Sequence, residues 1–556
     1  MSKKNRRQEK SKTPIISKNL ETDNKFSESI LWTKLRDYYL GMGADAWKSG
    51  AVPCFITSNA FIGFVYAKQI FAYMMDHIKL NPNHNAKEPF YIVETGAGHG
   101  KLSFYIVKAL NEILAKNKTD NNIFKYVMTD IAKRNADYWL EHHAFQKYFS
   151  NETLDCAVFD ADNEDSIALL KSGAVLSPNS LTKPICMVGN YIIDTLPHDA
   201  FDVIDNKAHA SLITTDLEHP ENKEITDANI LNYMKHEFHS KPIEGEFYND
   251  KILNEIISEY ASEFEEASFL IPIGGIKCIK ALKALSSGDF ILISADKGVA
   301  DTKTFEGIEE PFIEASDYAA LMVNFDSIKR YFNKQGGFFL QMPEKSSSFQ
   351  VVTASSGSLK NYHNLELTYN EYVEGFGPND FFNLEDNLFK SNKSPSLELI
   401  MSLLRISRYD PHVFYKLRDH LIDQLLEDEA DQDFIDDVIA ELPKVWENFF
   451  HLEEEDLPFE MARLLYSQDK SKEAIKYYEK SLEYFGRESA VIFNLGLCYQ
   501  DIGELDTALK YFGEVLNNDP NFDDVKSWYK KVEKKINDNH KTNQQTSLKE
   551  AEQEPA

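Results

Sequence analysis

An α/β fold built on a mostly parallel sheet, followed by an all-α domain of stacked helix pairs, is predicted by three observations along the 556 residues. Residues 90–104 read as an apolar strand ending in a carboxylate, then glycines at 96, 98 and 100, then a helix start. Apolar runs at 124–130, 154–159, 184–188 and 289–294 are interleaved with segments of helical spacing, the pattern of βα units feeding a parallel sheet. Near the C-terminus, Ala462 and Gly496, Ala474 and Ala508, and Tyr478 and Phe512 are each 34 residues apart, the period of a two-helix repeat.

The first segment is a basic stretch, Lys3, Lys4, Arg6, Arg7, Lys10 and Lys12, without an apolar face. Residues 1–26 are therefore expected to be a disordered tail rather than a leader, since no apolar run follows and Glu9, Glu21 and Asp23 come soon after. The apolar stretch from Cys54 to Met75 is interrupted by Ser58, Asn59, Lys68 and Gln69 within the ~20 residues a membrane span requires. A buried helix covering the site is expected there.

The strand ending in Glu94 and the turn Gly96-Ala97-Gly98-His99-Gly100 point to a ligand approached closely by backbone, with free N–H groups at the next helix start. The dinucleotide fingerprint fails because the position three after Gly98 is Lys101, not glycine or alanine. The phosphate loop fails because its first glycine would be Thr95 and its hydroxyl residue Leu102. Apolar spacing at Ile106, Leu110 and Ile113 marks the following helix, and the strand 124–130 ends in Asp130, an acid placed to accept two ribose hydroxyls. The strand 154–159 runs into Asp160-Ala161-Asp162, where a carboxylate and neighbouring backbone can receive an adenine edge; the competing role of either acid is turn formation. A fourth strand runs into Asn190-Tyr191-Ile192-Ile193-Asp194-Thr195-Leu196-Pro197, at the carboxyl edge where open parallel sheets bind ligands.

Beyond it, residues 210–214 are strand-like, and the polar segment 227–269 is expected to be a helical insertion, with Tyr248, Tyr260 and Phe264 as core or as lid. Strands at 289–294, 337–341 and 350–354 complete the sheet with an antiparallel final hairpin, closing a domain at 27–385. Residues 386–452 carry helical spacing in Leu399, Leu403 and Ile406, in Leu417, Leu421 and Leu425, and in Phe434, Val438 and Trp446, and read as a helical bridge or degenerate repeats. The acidic run 427–433 reads as a solvated loop and helix start. The repeats and a lysine-rich capping helix occupy 453–536, and 537–556 is expected to be a disordered tail. In the better copy, Leu495, Gly496, Tyr499, Ala508, Phe512 and Pro520 fill the small, aromatic and turn positions of a tetratricopeptide repeat.

With 60 basic against 89 acidic residues, the formal charge of −29 disfavours nucleic acid as a partner, and 43% hydrophobic residues can supply sizeable cores. Five scattered cysteines without a Cys-x-x-Cys pair fit a reducing, cytoplasmic setting. His142-His143 have no partners at metal-ligand spacing, so no metal is expected.

The acidic-x-Gly-x-Gly-x-Gly turn resembles the first motif of class I S-adenosylmethionine-dependent methyltransferases. Asn190, Asp194, Leu196 and Pro197 resemble the Asn-Glu-x-x-Asp-Ala-Leu-Pro signature of the MidA-like methyltransferases. Phe55-Ile56-Thr57-Ser58, Gly288 to Ile293, and Val323-Asn324-Phe325 resemble that family's Thr-Ser segment, fifth strand and late Val-Asn-Phe motif. The chain departs from the pattern at Tyr191, where the family has glutamate, and at Asn59-Ala60, where it has Pro-Glu; its Phe-Gly-Glu is missing. The resemblance implies a class I Rossmann-like fold and S-adenosylmethionine as cofactor. Glu94, Gly96, Ala97, Gly98, Gly100, Asp130, Asp160, Ala161 and Asn190 are then the expected cofactor contacts. It also implies a protein acceptor, arginine in mitochondrial members that assist respiratory complex I assembly.

Direct displacement at a sulfonium methyl needs mainly alignment, which supplies on the order of 7–11 kcal/mol. Asp194 and Tyr191 are candidates to orient or deprotonate the acceptor, against sober roles as a helix cap and a packed wall. Three readings remain open: a protein methyltransferase whose repeats recruit a polypeptide, a small-molecule methyltransferase whose repeats oligomerise, and a noncatalytic scaffold.

Overall fold

The computed structural model describes residues 14–551 apart from 49–54, 228, 307–312, 316–318, 344–348, 391–394, 427–431 and 452–454. The basic cluster at 3–12 and residues 427–431 of the acidic run lie outside the described residues, as does Cys54. The chain divides into two compact units, 1–383 and 384–556.

The first unit is organised by a central sheet of seven principal strands: β1 (Phe90–Thr95), β2 (Phe124–Asp130), β3 (Leu154–Val158), β4 (Ile185–Asn190), β5 (Phe290–Val299), β6 (Phe338–Gln341) and β7 (Phe349–Ser355). Their spatial order is β6-β7-β5-β4-β1-β2-β3. Strands β1 to β5 are parallel, while β7 runs antiparallel to both β5 and β6. This is the class I methyltransferase arrangement, with the antiparallel strand wedged between fifth and sixth. Being covered on both faces, the parallel strands are mainly apolar and carry their acids toward the ends: Val93, Val127, Met187, Ile185 and Leu292 are buried against Ile279, Leu282 and Phe332. Each such side chain contributes about 1.5–3 kcal/mol on burial. Successive connections leave β1 in opposite directions, so the crevice opens where the ends of β1 and β4 diverge.

Three helices frame that crevice: α1 (Ile30–Met42), α2 (Ala60–Leu80) and α3 (Lys101–Lys116). Asn59 caps α2, its Oδ1 accepting from the Ile62 N–H at 2.9 Å. Helix α2 is the buried helix expected from the apolar stretch, and it packs closely on α3 where Gly63 meets Tyr105. Among the described residues no helix is long and apolar enough to cross a membrane.

The insertion after β4 differs from the helical expectation. Besides the helix Lys251–Glu263 it holds an antiparallel sheet of Asp199–Ile204, Lys207–Pro220, Met234–Pro242 and Glu266–Ile271. The reason is a period of two: Met234, His236 and Phe238 turn inward while Lys235, Glu237 and His239 face solvent. Tyr248, Tyr260 and Phe264 are buried core, the Tyr248 hydroxyl donating to Asp199 at 2.8 Å. The expected disorder of residues 1–26 is overturned from Ile15 onward. Ile15–Asn24 pairs antiparallel with Ile213–Pro220, the ladder satisfying a backbone whose side chains mostly face water.

The second unit stacks the helices Leu457–Ser467, Ser471–Phe485, Ser489–Asp501 and Leu505–Asn518 at the expected period. Ala462, Ala474, Ala508, Tyr478 and Phe512 are fully buried, and a Cβ on Gly496 would press into the Phe512 ring. Before them run Leu397–Ile406, Pro411–Leu425 and Gln432–Trp446. Leu417, Leu421 and Leu425 are buried as expected, but Leu399 and Ile406 lie exposed while Ile400, Met401 and Leu404 face the core. In so apolar a helix, spacing alone does not choose the face. The expected C-terminal disorder is also corrected: the last helix runs Asp523–Ala551, carried past 536 by lysine, glutamine and glutamate without glycine or proline.

Candidate functional site

A cavity of about 380 Å³ lies at the carboxyl ends of β1, β2 and β4. Glu94, Gly96, Ala97, Asp130, Asp160, Ala161, Asn190, Tyr191 and Asp194 all border it, so segments up to a hundred residues apart converge there. Gly98 and Gly100 do not border it; they shape the turn behind the wall. All three glycines have positive φ, +69°, +55° and +85°, which costs a residue with a Cβ about 1–2 kcal/mol. At Gly98 an added Cβ would also stand 2.8 Å from the Trp47 indole.

The carboxylates divide into braces and open groups. Asp130 is a brace: it accepts from the Gly98 N–H at 3.0 Å and the Ala132 N–H at 2.9 Å, tying the glycine turn to the end of β2. Burial raises its pKa against the pull of these hydrogen bonds. Glu94 is buried, accepting from the Ser103 hydroxyl and from the Tyr126 hydroxyl at 2.8 Å. Burial pushes it up to about 7, the two hydroxyls opposing. Asp160 pairs with Arg36 of α1 at 2.7 Å and also accepts from Asn163. Burial raises its pKa, but these donors outweigh that and hold it below the usual range. The expected adenine contact of Asp160 is thereby corrected in part. Its carboxylate is committed to α1, while Asp162, two residues on, also borders the cavity and has a buried Oδ1 without a hydrogen-bond partner.

The segment after β4 is held tightly. Asn190 Oδ1 accepts from the Tyr66 hydroxyl at 2.7 Å and the Ala295 N–H at 2.9 Å, and its amide donates to the Thr57 carbonyl at 3.1 Å. The Thr-Ser segment thus joins the wall through Thr57. Tyr191 has φ +49°, a strained left-handed conformation for a bulky residue, with its N–H bonded to the Ala295 carbonyl at 3.1 Å. Asp194 follows on a short 3-10 turn, Ile193–Thr195, and burial pushes its pKa up to about 7 against the charge of Lys297.

Several wall residues were not legible in the sequence: Trp32, Arg36, Tyr39 and Trp47 from the segment before α2, and Lys297 near the end of β5. The first four come from a region with no motif, and Lys297 sits in the last residues of an otherwise ordinary strand. The late Val-Asn-Phe motif proves structural, Asn324 accepting from the Ser327 N–H at 3.0 Å and donating to the Leu270 carbonyl at 2.9 Å.

Tetratricopeptide-repeat profiles match residues 459–485 and 490–521, so the C-terminal helix pairs are tetratricopeptide repeats. No curated protein matches the chain. Among solved structures, the chain is similar to a superfamily member from Burkholderia thailandensis bound to S-adenosyl-homocysteine, at 13% identity and TM-score 0.37, over 61% of this chain and 90% of that one. It is also similar to a tetratricopeptide protein from Thermus thermophilus, at 15% identity and TM-score 0.21, over 31% of this chain and 91% of that one. At such scores the functional reading rests on the chain's own geometry.

Proposed function

We propose that the protein is an S-adenosylmethionine-dependent methyltransferase acting on a polypeptide that its tetratricopeptide repeats recruit. The observation that carries this is the cavity itself, with a glycine turn braced by Asp130 on one side and a strained Asn190-Tyr191 corner on the other. The walls fit the donor's chemistry. Asp162, with Phe159 and Ala161, borders the part of the cavity that suits an adenine edge, and Asp130, its oxygens engaged by Gly98, Ala132 and Asn135, fixes the glycine turn beside the ribose position. Glu94, Gly96 and Ala97 line the end where an amino-acid tail would sit. The donor supplies an activated sulfonium methyl; the residues position it, keep water out and receive the acceptor's proton. Cys156, Cys186, Cys278 and Cys498 are buried free thiols, which fits a cytoplasmic setting.

Calorimetric titration of the full chain with S-adenosylmethionine tests the donor. Saturable binding that is lost in Gly98→Asp is expected; no binding by the folded protein sinks the reading. Radiolabelled methyl transfer into cell extract, separated into protein and small-molecule fractions, tests the acceptor. Label in protein, with arginine among the residues to be checked, supports recruitment by the repeats. Label confined to small molecules, or none, replaces it with the small-molecule or scaffold reading.

A further inference from the structure

Asp194 does not stand alone. Asp296, at the end region of β5 and fully buried, accepts from the Ile193 N–H at 3.1 Å and the Asp194 N–H at 3.3 Å through Oδ2, and from the Lys297 N–H at 2.8 Å through Oδ1. It therefore caps the turn that carries Asp194 without itself lining the cavity. Asp194 is 5% exposed, and its buried Oδ1 has no hydrogen-bond partner although the residue borders the cavity. One carboxyl is spent on backbone, while its neighbour keeps a vacant acceptor atom.

We propose that Asp194 and Asp296 form a one-proton carboxyl pair, in which Asp296 holds the proton and the turn while Asp194 receives the proton released by the methyl acceptor. This rests on the methyl-transfer reading and narrows the acceptor to an N–H or O–H group. The acceptor heteroatom bonds the methyl carbon as that carbon's bond to sulfur breaks, with the electron pair left on sulfur. The Asp194 carboxylate takes the acceptor's proton, so a sulfonium and a carboxylate become a neutral thioether and a neutral carboxyl.

The surroundings favour this division. Two adjoining buried carboxyls cannot both ionise near neutrality. Burial and the charge of Asp194 drive Asp296 well above the carboxylate range, outweighing its three N–H donors. Lys297 is the cation beside Asp194 and makes it the member that ionises first. Tyr66 on α2 feels the charges of both Asp296 and Glu94, and burial keeps its hydroxyl protonated.

The pair is tested without donor or acceptor by difference infrared spectroscopy of the full chain, following the protonated-carboxyl stretch from about pH 5 to about pH 9. A protonated carboxyl that persists above about pH 8 in the native chain, and disappears in both Asp194→Asn and Asp296→Asn, is expected. Lys297→Met should move the titration near neutrality to higher pH. Survival of the high-pH signal in Asp194→Asn, or an unmoved titration in Lys297→Met, overturns the pair; neither depends on Asp296→Asn folding. For the catalytic role, radiolabel transfer into extract protein should fall at least about tenfold in Asp194→Asn with S-adenosylhomocysteine affinity unchanged. Full transfer overturns that role. Failure of the native chain to bind the donor would remove the methyl-transfer reading while leaving the infrared result to stand or fall separately.

Discussion

Substituting Gly98 probes the turn, its cover and the donor reading together. In Gly98→Ala the backbone must hold a Cβ at φ +55°, a cost of about 1–2 kcal/mol. The new methyl meets Trp47 atoms at 2.8 and 2.9 Å, inside any real Cβ contact, so the indole must shift; such overpacking costs about 1–3 kcal/mol. The sum is about 2–5 kcal/mol, and the two parts separate in a double-mutant cycle. Trp47→Ala removes the obstacle, leaving the backbone cost, so Gly98→Ala should be milder in that background by about 1–3 kcal/mol. Urea unfolding of the four proteins measures the coupling, and calorimetry with S-adenosylmethionine reads the site. Because Trp47 borders the cavity, its displacement should weaken binding at least about tenfold, which is about 1.4 kcal/mol. Strict additivity, or a Gly98→Ala protein as stable and as avid as the native one, would refute both the close approach of Trp47 and the role of the turn.

Three further outcomes follow from particular side chains. Asp162→Asn should lower S-adenosylmethionine affinity about tenfold by turning an acceptor into a mixed amide, and Asp160→Asn much less, since Asp160 serves Arg36; calorimetry ranks the two. Glu94 has a folded pKa of about 7 against an ordinary carboxyl, so the folded state binds the extra proton and stability from this group is lost as pH rises from about 4.5 through about 7. At about 1.36 kcal/mol per unit the full loss is about 3.4 kcal/mol, most of it between about pH 5 and about pH 8, and Glu94→Gln should flatten it, as urea unfolding at those two pH values would show. In the second unit, Gly496→Leu should drive a side chain into Phe512 and cost about 1–3 kcal/mol, read as earlier thermal unfolding of the repeats with S-adenosylmethionine affinity unchanged.

Much of the site was legible because its parts are local. A strand running into alternate glycines and a helix is a short-range statement, and so is an acid closing the next strand; both held at Glu94 to Gly100 and at Asp130. The 34-residue separations likewise name positions that must be small or aromatic in any stacked helix pair, and Gly496 against Phe512 is that contact. The misread parts have the opposite character. Met234, His236 and Phe238 alternate with charged residues too briefly to outweigh a polar composition, and Leu399 sits in a helix apolar on more than one side. Ile15–Asn24 becomes a strand because Ile213–Pro220 offers an edge to pair with.

From the chain alone came the parallel α/β sheet, the nucleoside-type turn, the Asn190 to Pro197 corner and the repeats, since each is encoded within some forty residues by periodicity or by residues only a particular backbone accepts. Tertiary structure alone decided which acid is free and which is committed. Arg36 claims Asp160 while Asp162 keeps a buried oxygen without a partner, and Asp296 underpins Asp194 from a strand a hundred residues later. Hydrogen bonds and burial set a carboxyl's chemistry, and both depend on neighbours that folding alone brings together.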